Sequence, residues 1–210
     1  MTTIVAFVSQ KGGVGKSTLA RALAREAAMS GLKTKIADLD TQQGTSVDWH
    51  RTRLERGIEP RISVEAFKKA TQAINEANQL DLLIIDGPAR TSTGTLEIAK
   101  HSDLIVQPTG PSVDDLRPAV REFHALVRHG IPKSKLTFAL NRIGTDSEER
   151  DCRVYIAEAG YTSLNGFLPE KPGYRQSQNE GYAVTETSFK SLRKKADFII
   201  QSIVDRILNG

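Results

Sequence analysis

The chain has 210 residues, which is long enough to bury a sizeable core, and its formal net charge is +4. Its 39% hydrophobic and 26% charged residues are close to ordinary globular usage, and no stretch approaches the roughly 20 continuous apolar residues of a membrane span. The single cysteine, Cys152, excludes an intramolecular disulfide and a four-thiolate cluster within one chain.

Apolar, β-branched runs alternate with helical patterns along the chain. The strand-like runs are TIVAFV (3–8), KTKIADLD (33–40), LDLLIIDGP (80–88), DLIVQPT (103–109) and LTFALNRI (136–143). Helical patterns follow at about 15–31, 67–79, 113–128, 148–159 and 190–208. This alternation predicts an α/β fold, a doubly wound and mostly parallel sheet flanked by helices, within a single domain over residues 1–210.

The last helical pattern, at 190–208, has an apolar stripe and a basic beginning. The stripe consists of Leu192, Ala196, Ile199, Ile200, Ile203, Ile207 and Leu208. We expect the stripe to dock on the sheet. Lys190 and Lys194, four residues apart, share another face and are expected to meet solvent or a ligand.

Residues 9–18 read SQKGGVGKST, between the first strand-like run and the first helix. The strict phosphate-loop pattern G-x-x-x-x-G-K-[ST] fails at its first position, which is Gln10. Its glycines still let backbone N–H groups turn toward phosphate oxygens, and the helix adds its positive dipole end. The residues predicted to bind the nucleotide here are Gly12, Gly13, Val14, Gly15, Lys16, Ser17 and Thr18. The alternative is a glycine turn with surface lysines.

Within this loop, side-chain chemistry assigns three separate roles. Lys16 is placed to contact the β- and γ-phosphates of ATP, and the Ser17 hydroxyl to ligate Mg²⁺. Thr18 is placed to assist at the α-phosphate. The loop therefore predicts ATP and Mg²⁺ as ligands.

Three carboxylates stand at the ends of strand-like runs. Asp38 and Asp40 share one face of an extended chain because strand side chains alternate, and Asp86 ends another run. Side chains at the carboxyl ends of parallel strands point into the crevice where α/β sheets bind ligands, so all three are expected to approach the metal. Helix capping or solubility is the alternative role for each.

The stretches K-G-G-V-G-K-S-T, D-L-D-x-Q and I-I-D-G-P together resemble the deviant-Walker ATPases of the ParA/MinD superfamily. The resemblance implies a P-loop NTPase fold, ATP hydrolysis to ADP and phosphate, and a nucleotide-sandwiched homodimer. It also implies that Lys11, at the head of the loop, reaches the phosphates of the partner subunit. A cation that arrives only on dimerisation ties association to ATP occupancy.

The same matching implies roles for the carboxylates. Asp40 corresponds to the acid that positions or activates the attacking water, and Asp86 to the Walker B acid. Asp38 corresponds to an acid linked to the Mg²⁺ shell, so the implied metal residues are Ser17, Asp38 and Asp86. The family often has proline after the second aspartate, whereas this sequence has Thr41 at the first switch.

Three further stretches match the family pattern. GPARTSTGT, at 87–95, is similar to the second switch. Asn141 lies where the family's asparagine reads the adenine, although asparagine is also a common turn residue. FLPEKPGYRQS, at 167–177, resembles the loop that closes over the base and places Pro169 against it.

Within the superfamily, the chain is most similar to small plasmid-type ParA proteins. Only ten residues precede Lys11, so no N-terminal helix-turn-helix domain is expected, and a small centromere-binding or adaptor protein would stimulate hydrolysis. In such proteins basic residues bind non-specific DNA through its phosphates. The matching residues are Lys190, Arg193, Lys194 and Lys195, with a solvated helix face as the alternative, and Arg175 is a further DNA-binding candidate.

The expected activity is therefore a DNA partition or positioning ATPase. Its ATP dimer binds DNA and is released after hydrolysis, segregating a plasmid or a similar cargo. No secretory signal begins the sequence and no membrane association is expected, so the predicted location is the cytoplasm, on the nucleoid. The alternatives are a MinD-like membrane-associated ATPase and a small ATP-dependent synthetase of the same fold.

Overall fold

Parallel strands form one sheet in the computed structural model of the chain, which describes residues 1–89 and 92–209. The strands are β1 (Thr3–Phe7), β2 (Thr34–Asp38), β3 (Ser63–Ala66), β4 (Leu82–Asp86), β5 (Leu104–Thr109), β6 (Leu136–Ile143) and β7 (Ser163–Pro169). The helices are α1 (Lys16–Met29), α2 (Thr45–Glu55), α3 (Ala70–Asn75), α4 (Ser92–His101), α5 (Val113–Arg128), α6 (Asp146–Glu158), α7 (Pro172–Asn179) and α8 (Lys190–Leu208). Short 3₁₀ turns lie at 77–79, 133–135 and 184–186.

The strand order is β3-β2-β4-β1-β5-β6-β7, and every pairing among these strands is parallel. From β1 the chain winds outward to β3, returns through β4 beside β1, and then winds the other way through β5 to β7. This confirms the predicted doubly wound parallel sheet of a P-loop NTPase. The reversal lies at the centre of the sheet, where ligands of such folds bind.

The register brings predicted site residues to one edge. Asp38 pairs with Asp86 across β2 and β4, and Phe7 pairs with Asp86 across β1 and β4. Because the strands are parallel, the loop after β1 begins at this same edge. The two aspartates and the glycine loop are neighbours in space although about 70 residues separate the loop from Asp86.

Two apolar layers cover the sheet because successive strand side chains point to opposite faces. In β1, Ile4 and Ala6 join the core beneath α3 to α6, whereas Val5 and Phe7 join the core beneath α1 and α8. A central strand buried on both faces therefore reads as a continuous apolar run.

The region from 45 to 79 differs from the prediction. Helix α2 was not expected because its buried side chains include Ser46 and Arg53, so the sequence shows no apolar period there. Edge strand β3 is four residues long and mostly exposed, so the sequence has no apolar run there that would predict a strand. The helix predicted at 67–79 was wrong in extent, since only Ala70–Asn75 is α-helical and 77–79 forms a 3₁₀ turn.

Helix α8 docks on β7 and the sheet, as the stripe predicts. Ala196, Ile199, Ile200 and Ile203 are buried in the core. Leu208 is 76% exposed at the end of the helix, so the predicted stripe was wrong at its last position. Among the described residues, no helix has both the length and the apolar content that a membrane span needs.

Candidate nucleotide-binding site

The predicted phosphate loop joins β1 to α1, and its glycines are required by geometry. Gly13 and Gly15 have φ angles of 73° and 108°, which L side chains rarely adopt. A Cβ atom on Gly15 would also lie 1.8 Å from Nδ2 of Asn141. The loop therefore needs glycine at position 15 both for its backbone angle and for the close approach of β6.

A cleft of about 610 Å³ opens over this loop. It is lined by Gly12, Gly13, Gly15, Lys16, Ser17, Thr18, Arg21, Asp40, Gln42, Gln43, Thr45, Gly87 and Ala89. The predicted loop residues and Asp40 thus share one cavity, as the parallel register requires. Val14 is buried beneath the loop and is absent from the lining.

The Lys16 ammonium is buried at the first turn of α1. Its Nζ donates to the carbonyl oxygens of Ser9 at 3.4 Å and Lys11 at 3.2 Å. Burial lowers the pKa of Lys16, and the nearby carboxylates of Asp86 and Asp40 oppose this shift. Among the described residues, two loop carbonyls are the hydrogen-bond partners of this cation, so it is available to phosphate oxygens.

Asp86 is fully enclosed at the end of β4. Burial, together with the charge of the neighbouring Asp38, raises its pKa to about 6. Its Oδ2 accepts a hydrogen bond from Ser46 Oγ at 2.7 Å, whereas its buried Oδ1 has no hydrogen-bond partner among the described residues. An enclosed carboxylate oxygen without a donor suits a cation or its water shell.

Asp38 is already used by the fold. Its Oδ2 accepts from the backbone N–H groups of Ser46 at 2.9 Å and Val47 at 3.3 Å, and its Oδ1 accepts from Asp40 N at 3.1 Å. These bonds fasten the first turn of α2 to the end of β2. The capping role named as an alternative is therefore present, and a contact of Asp38 with the metal shell stays a prediction.

Two hydroxyl groups meet at the mouth of the cleft. Ser17 Oγ lies 3.0 Å from Thr45 Oγ1, so the predicted metal ligand is next to a hydroxyl of the first turn of α2. Asp40 lies nearby, half-buried, with its Oδ1 accepting from Gln43 N at 3.2 Å. No three His, Cys, Asp or Glu side chains in ranges 1–89 and 92–209 form a metal cluster.

Arg21 is a site residue that the sequence reasoning missed. It is 8% exposed, lines the cleft, and donates from Nε to Ser46 Oγ at 3.2 Å and from Nη2 to Thr45 O. Its Nη1 lies 3.4 Å from Oε1 of Gln178 on α7. The guanidinium thus joins α1, α2 and α7 behind the carboxylates. Only its position five residues after Lys16 hinted at this role.

A smaller cavity of about 110 Å³ adjoins the loop on its other side and shares Gly13, Gly15 and Thr18 with the cleft. It is lined by Asn141, Arg142, Leu168, Pro169, Glu170, Lys171, Tyr174, Arg175 and Gln178 besides those three. The predicted base residues Asn141 and Pro169 therefore lie together. Pro169 ends β7 and is followed by α7, so the stretch predicted as a loop was wrong in its structure.

Asn141 is tied to the loop in this state. Its Nδ2 donates to Val14 O at 2.6 Å, and its Oδ1 accepts from Arg142 N at 3.1 Å. Arg142 has a φ of 59°, rare for a residue with a side chain, and lies 3.5 Å from Glu170 at the mouth of the small cavity. Recognition of adenine by Asn141 stays a prediction.

Lys11 stands at the outer end of the loop, half exposed, and its Nζ forms an ion pair with Asp115 at the start of α5. If Lys11 reaches the phosphates of another subunit as predicted, its ammonium would leave the Asp115 carboxylate and contact phosphate instead. The second switch at 87–95 includes Arg90 and Thr91, which lie outside the described residues.

The five predicted DNA-binding residues are exposed but not equally free. Arg193 donates twice to Thr187 O, at 3.0 and 2.7 Å, and Lys195 Nζ lies 4.1 Å from the centre of the Phe167 ring. Arg175 pairs with Glu170 at 3.1 Å. For Lys190 and Lys194 the described residues provide no side-chain partner.

Comparison with known proteins gives one family and a group of similar folds. A family model described as the CobQ/CobB/MinD/ParA nucleotide binding domain matches residues 5–184. MinD from Pyrococcus horikoshii OT3, complexed with Mg-ADP, superposes with a TM-score of 0.77 at 19% identity, covering 99% of this chain and 98% of that one. A search of curated proteins gave no match.

Two other solved structures are similar over nearly the whole chain. A putative plasmid partition protein from Borrelia burgdorferi B31, bound to AMPPNP, has a TM-score of 0.75 at 16% identity, covering 98% of this chain and 100% of that one. Apo McdA from Cyanothece has a TM-score of 0.72 at 15% identity, with coverages of 97% and 100%. At these identities the likeness shows a shared fold.

Proposed function

We propose, because the chain belongs to the CobQ/CobB/MinD/ParA nucleotide-binding family, that it is a positioning ATPase of the small ParA type. It binds ATP with Mg²⁺, forms a sandwich homodimer, binds non-specific duplex DNA as that dimer, and leaves DNA after hydrolysis. A small adaptor or centromere-binding protein stimulates hydrolysis and links the cycle to a plasmid or a similar cargo. Its place is the nucleoid.

The observation that carries this proposal is the meeting of a buried lysine and two aspartates from three elements. Lys16 begins α1, Asp40 follows β2 and Asp86 ends β4, yet the charges of both aspartates act on the Lys16 ammonium. A cation, a half-buried carboxylate and an enclosed carboxylate are the groups that phosphoryl transfer to water requires. The glycine loop between them supplies backbone donors for phosphates.

Magnesium fits this arrangement, since Asp86 Oδ1 is buried without a donor and the Ser17 hydroxyl lies at the cleft. Ser17 would hold the ion directly, with Asp86 and Asp38 behind it. When bound, Mg²⁺ offsets phosphate charge as a Lewis acid. Arg21 keeps Thr45 and Ser46 in place, so the first turn of α2 stays beside the cleft.

Asp40 orients the attacking water in this proposal. Its carboxylate lines the cleft and is only half-buried, and Oδ1 is fixed by Gln43 N. This side chain is therefore positioned by the backbone while one oxygen remains available to a water molecule. Lys16 stays on the phosphates, where it offsets the charge that develops during transfer.

We expect Lys11→Ala to separate ATP binding from dimer formation. The ammonium lies outside the cleft lining, so ATP affinity should stay within about threefold of wild type, while the ATP dimer is lost and turnover falls about 100-fold. Sedimentation with ATP and Mg²⁺ measures the dimer, and phosphate release measures turnover. Asp115→Ala is the matched control, because it breaks the same intrachain ion pair and keeps Lys11. An ATP dimer of unchanged stability in Lys11→Ala would remove the trans role.

Non-specific DNA binding is proposed for the basic beginning of α8 together with Arg175. Lys190 and Lys194 extend from α8 at i,i+4 spacing, while Arg193 and Lys195 keep exposed charge beside their contacts within the fold. A few phosphate contacts per subunit, doubled by dimerisation, give salt-sensitive binding without sequence preference.

The proposed function is tested by binding to random-sequence duplex DNA without nucleotide, with ADP, and with ATP plus Mg²⁺. Lys190→Ala/Lys194→Ala should lower the affinity of the ATP dimer about tenfold and the slope of log K against log salt by about 4, since the dimer loses four contacts of about 0.9 each. Lys33→Ala/Lys100→Ala, with the same charge change at exposed positions elsewhere, is the control. Absence of ATP-dependent binding in wild type would reject the DNA-based function and turn attention to vesicles.

One observation supports a second candidate function, a small ATP-dependent synthetase. A side cavity of about 340 Å³ shares Asp40, Gln42 and Ala89 with the nucleotide cleft and is lined on its far side by Lys68 and Lys69. A ligase needs space of this kind for an acid or amine beside the γ-phosphate. Turnover that requires a small carboxylic acid or amine, and ignores DNA, would favour this candidate.

A further inference from the structure

Helix α5 presents a row of arginines that the proposed function does not use. Arg117, Arg121 and Arg128, here called the α5 stripe, follow a spacing of four and seven residues and are all exposed. This spacing puts them on one face of a helix. His124 lies on the same face and is hydrogen-bonded to Tyr161.

The opposite face of α5 fixes the direction in which the stripe points. Leu116, Val120, Phe123 and Leu126 are buried in the core beneath the sheet. A helix anchored along its whole length cannot rotate its polar face away. The three guanidinium groups are therefore displayed over about 16 Å of helix at 1.5 Å per residue.

The three side chains of the stripe have no partner among the described residues, unlike most exposed arginines of the chain. None of its three side chains forms an ion pair or hydrogen bond within residues 1–89 and 92–209. In contrast, Arg51, Arg56 and Arg61 pair with acids at 3.1, 3.3 and 3.5 Å. A ligand at the stripe would therefore displace water only, with no internal ion pair to break.

The acids of α5 do not neutralise the stripe. Asp115 pairs with Lys11, and Glu122 is buried, where its Oε2 accepts from Gln107 Nε2 at 2.7 Å. Asp114 is exposed at the N-terminal turn, three residues before Arg117, without an ion pair between them, and it lies at the far end of the helix from Arg128. The outer face of α5 is thus positive along most of its length.

We propose that the α5 stripe is a second surface for the phosphate backbone of duplex DNA, an inference that rests on the proposed DNA-based function. Three unpaired guanidinium groups over about 16 Å complement a duplex that carries one negative charge per about 1.7 Å of axis. Guanidinium also matches phosphate oxygens in a bidentate manner.

This surface is separate from the basic beginning of α8. Helix α5 covers one face of the sheet and α8 covers the other, with the strands between them. A straight duplex lying on α8 therefore does not lie on the α5 stripe of the same subunit. Long DNA that curves around the ATP dimer contacts both surfaces in one binding event, so their phosphate contacts add in the measured affinity.

The test compares salt dependence of DNA binding by the full chain with ATP and Mg²⁺. On long duplex DNA, Arg117→Ala/Arg121→Ala/Arg128→Ala should lower the slope of log K against log salt by about 3 for each subunit whose stripe contacts the DNA, and lower affinity at moderate salt at least tenfold. Arg51→Ala/Arg56→Ala/Arg61→Ala makes the same change in net charge at arginines that are already paired, and should keep the wild-type slope. Replacing the three stripe residues by lysine should restore most of the salt slope, because the positive charges return. Unchanged basal ATP turnover in every variant shows that each one folds.

The outcomes separate the two proposals. If the wild type binds DNA only with ATP, and the alanine stripe variant and its control have equal salt slopes, the DNA-binding role of the stripe is rejected and the proposed function stands. Wild type that binds no DNA in any nucleotide state overturns both. A stripe variant that keeps DNA binding but loses binding to RNA or to anionic vesicles also overturns the DNA assignment.

Discussion

Asp40→Ala should lower ATP turnover about 1,000-fold while ATP binding and the ATP dimer persist. Asp40 lines the cleft, and its Oδ1 accepts a hydrogen bond from Gln43 N. Among the described residues that line this cavity, Asp40 is the single carboxylate, so the substitution removes the acid that can orient water. Orientation and activation of a nucleophile by a positioned acid or base contribute about 10²–10⁴ in rate. Lys16 and the glycine loop remain, so phosphates are still held.

Single-turnover phosphate release measures the chemical step, and sedimentation with ATP measures the dimer. Asp48→Ala is a matched control, because Asp48 is an exposed acid on α2 that pairs only with Arg51 among the described residues. Asp40→Asn adds a second comparison of nearly equal shape that cannot take a proton. Normal turnover in both Asp40 variants would show that another group orients the water.

Lys16→Ala should weaken ATP binding about 1,000-fold, a loss of about 4 kcal/mol. The Nζ atom is buried beside Asp86 and Asp40 and has two loop carbonyls as acceptors, so bound phosphates would be left without their nearest cation. Calorimetric titration with ATP and Mg²⁺ gives the dissociation constant. Lys33→Ala, at an exposed lysine after α1, should bind ATP like wild type.

The same substitution should leave the ligand-free fold intact. Burial lowers the pKa of Lys16, which means that the charged form is less favourable in the folded protein than in the unfolded chain. Removing this charge therefore does not cost the ligand-free protein an electrostatic stabilisation. An unfolding midpoint equal to or above wild type, together with lost ATP binding, is the expected pair of results. Tight ATP binding by Lys16→Ala would contradict the assignment.

These two variants probe opposite sides of one cleft. Lys16 acts on phosphate that is already bound, so its loss appears in the dissociation constant. Asp40 acts on water, so its loss appears in the rate. A site that merely bound nucleotide would show the first effect and no change of rate in the second variant.

The sequence by itself determined the elements that a pattern of neighbouring residues predicts. The glycine loop can be predicted because backbone donors, a lysine and a serine must follow one another within a few residues before a helix. Strand β4 can be predicted because a strand buried on both faces needs a continuous apolar run, and parallel pairing then brings Asp86 to the loop. The family and the doubly wound fold follow from these local features.

Tertiary structure decided everything that depends on distant neighbours. Arg21 is a site residue only because α2 and α7 pack around it, and its partner Gln178 is 157 positions away. Helix α2 was hidden for the same reason, since its buried face includes Arg53, which is satisfied by Glu186 at 2.7 Å. Periodicity in a sequence reports burial of apolar groups, whereas a buried charge is tolerated only when the fold supplies its partner.

The charged surface shows this division most clearly. The sequence places arginines on α5 and both lysines and arginines on α8, and it does not show which of them form hydrogen bonds or ion pairs within the fold. The structure ties Lys11 to Asp115 and Arg193 to Thr187, and leaves the α5 stripe without partners in the part of the chain that it describes. Ion pairs between elements far apart in sequence form only after the helices have packed on the sheet, so the free cations become visible only in the folded chain.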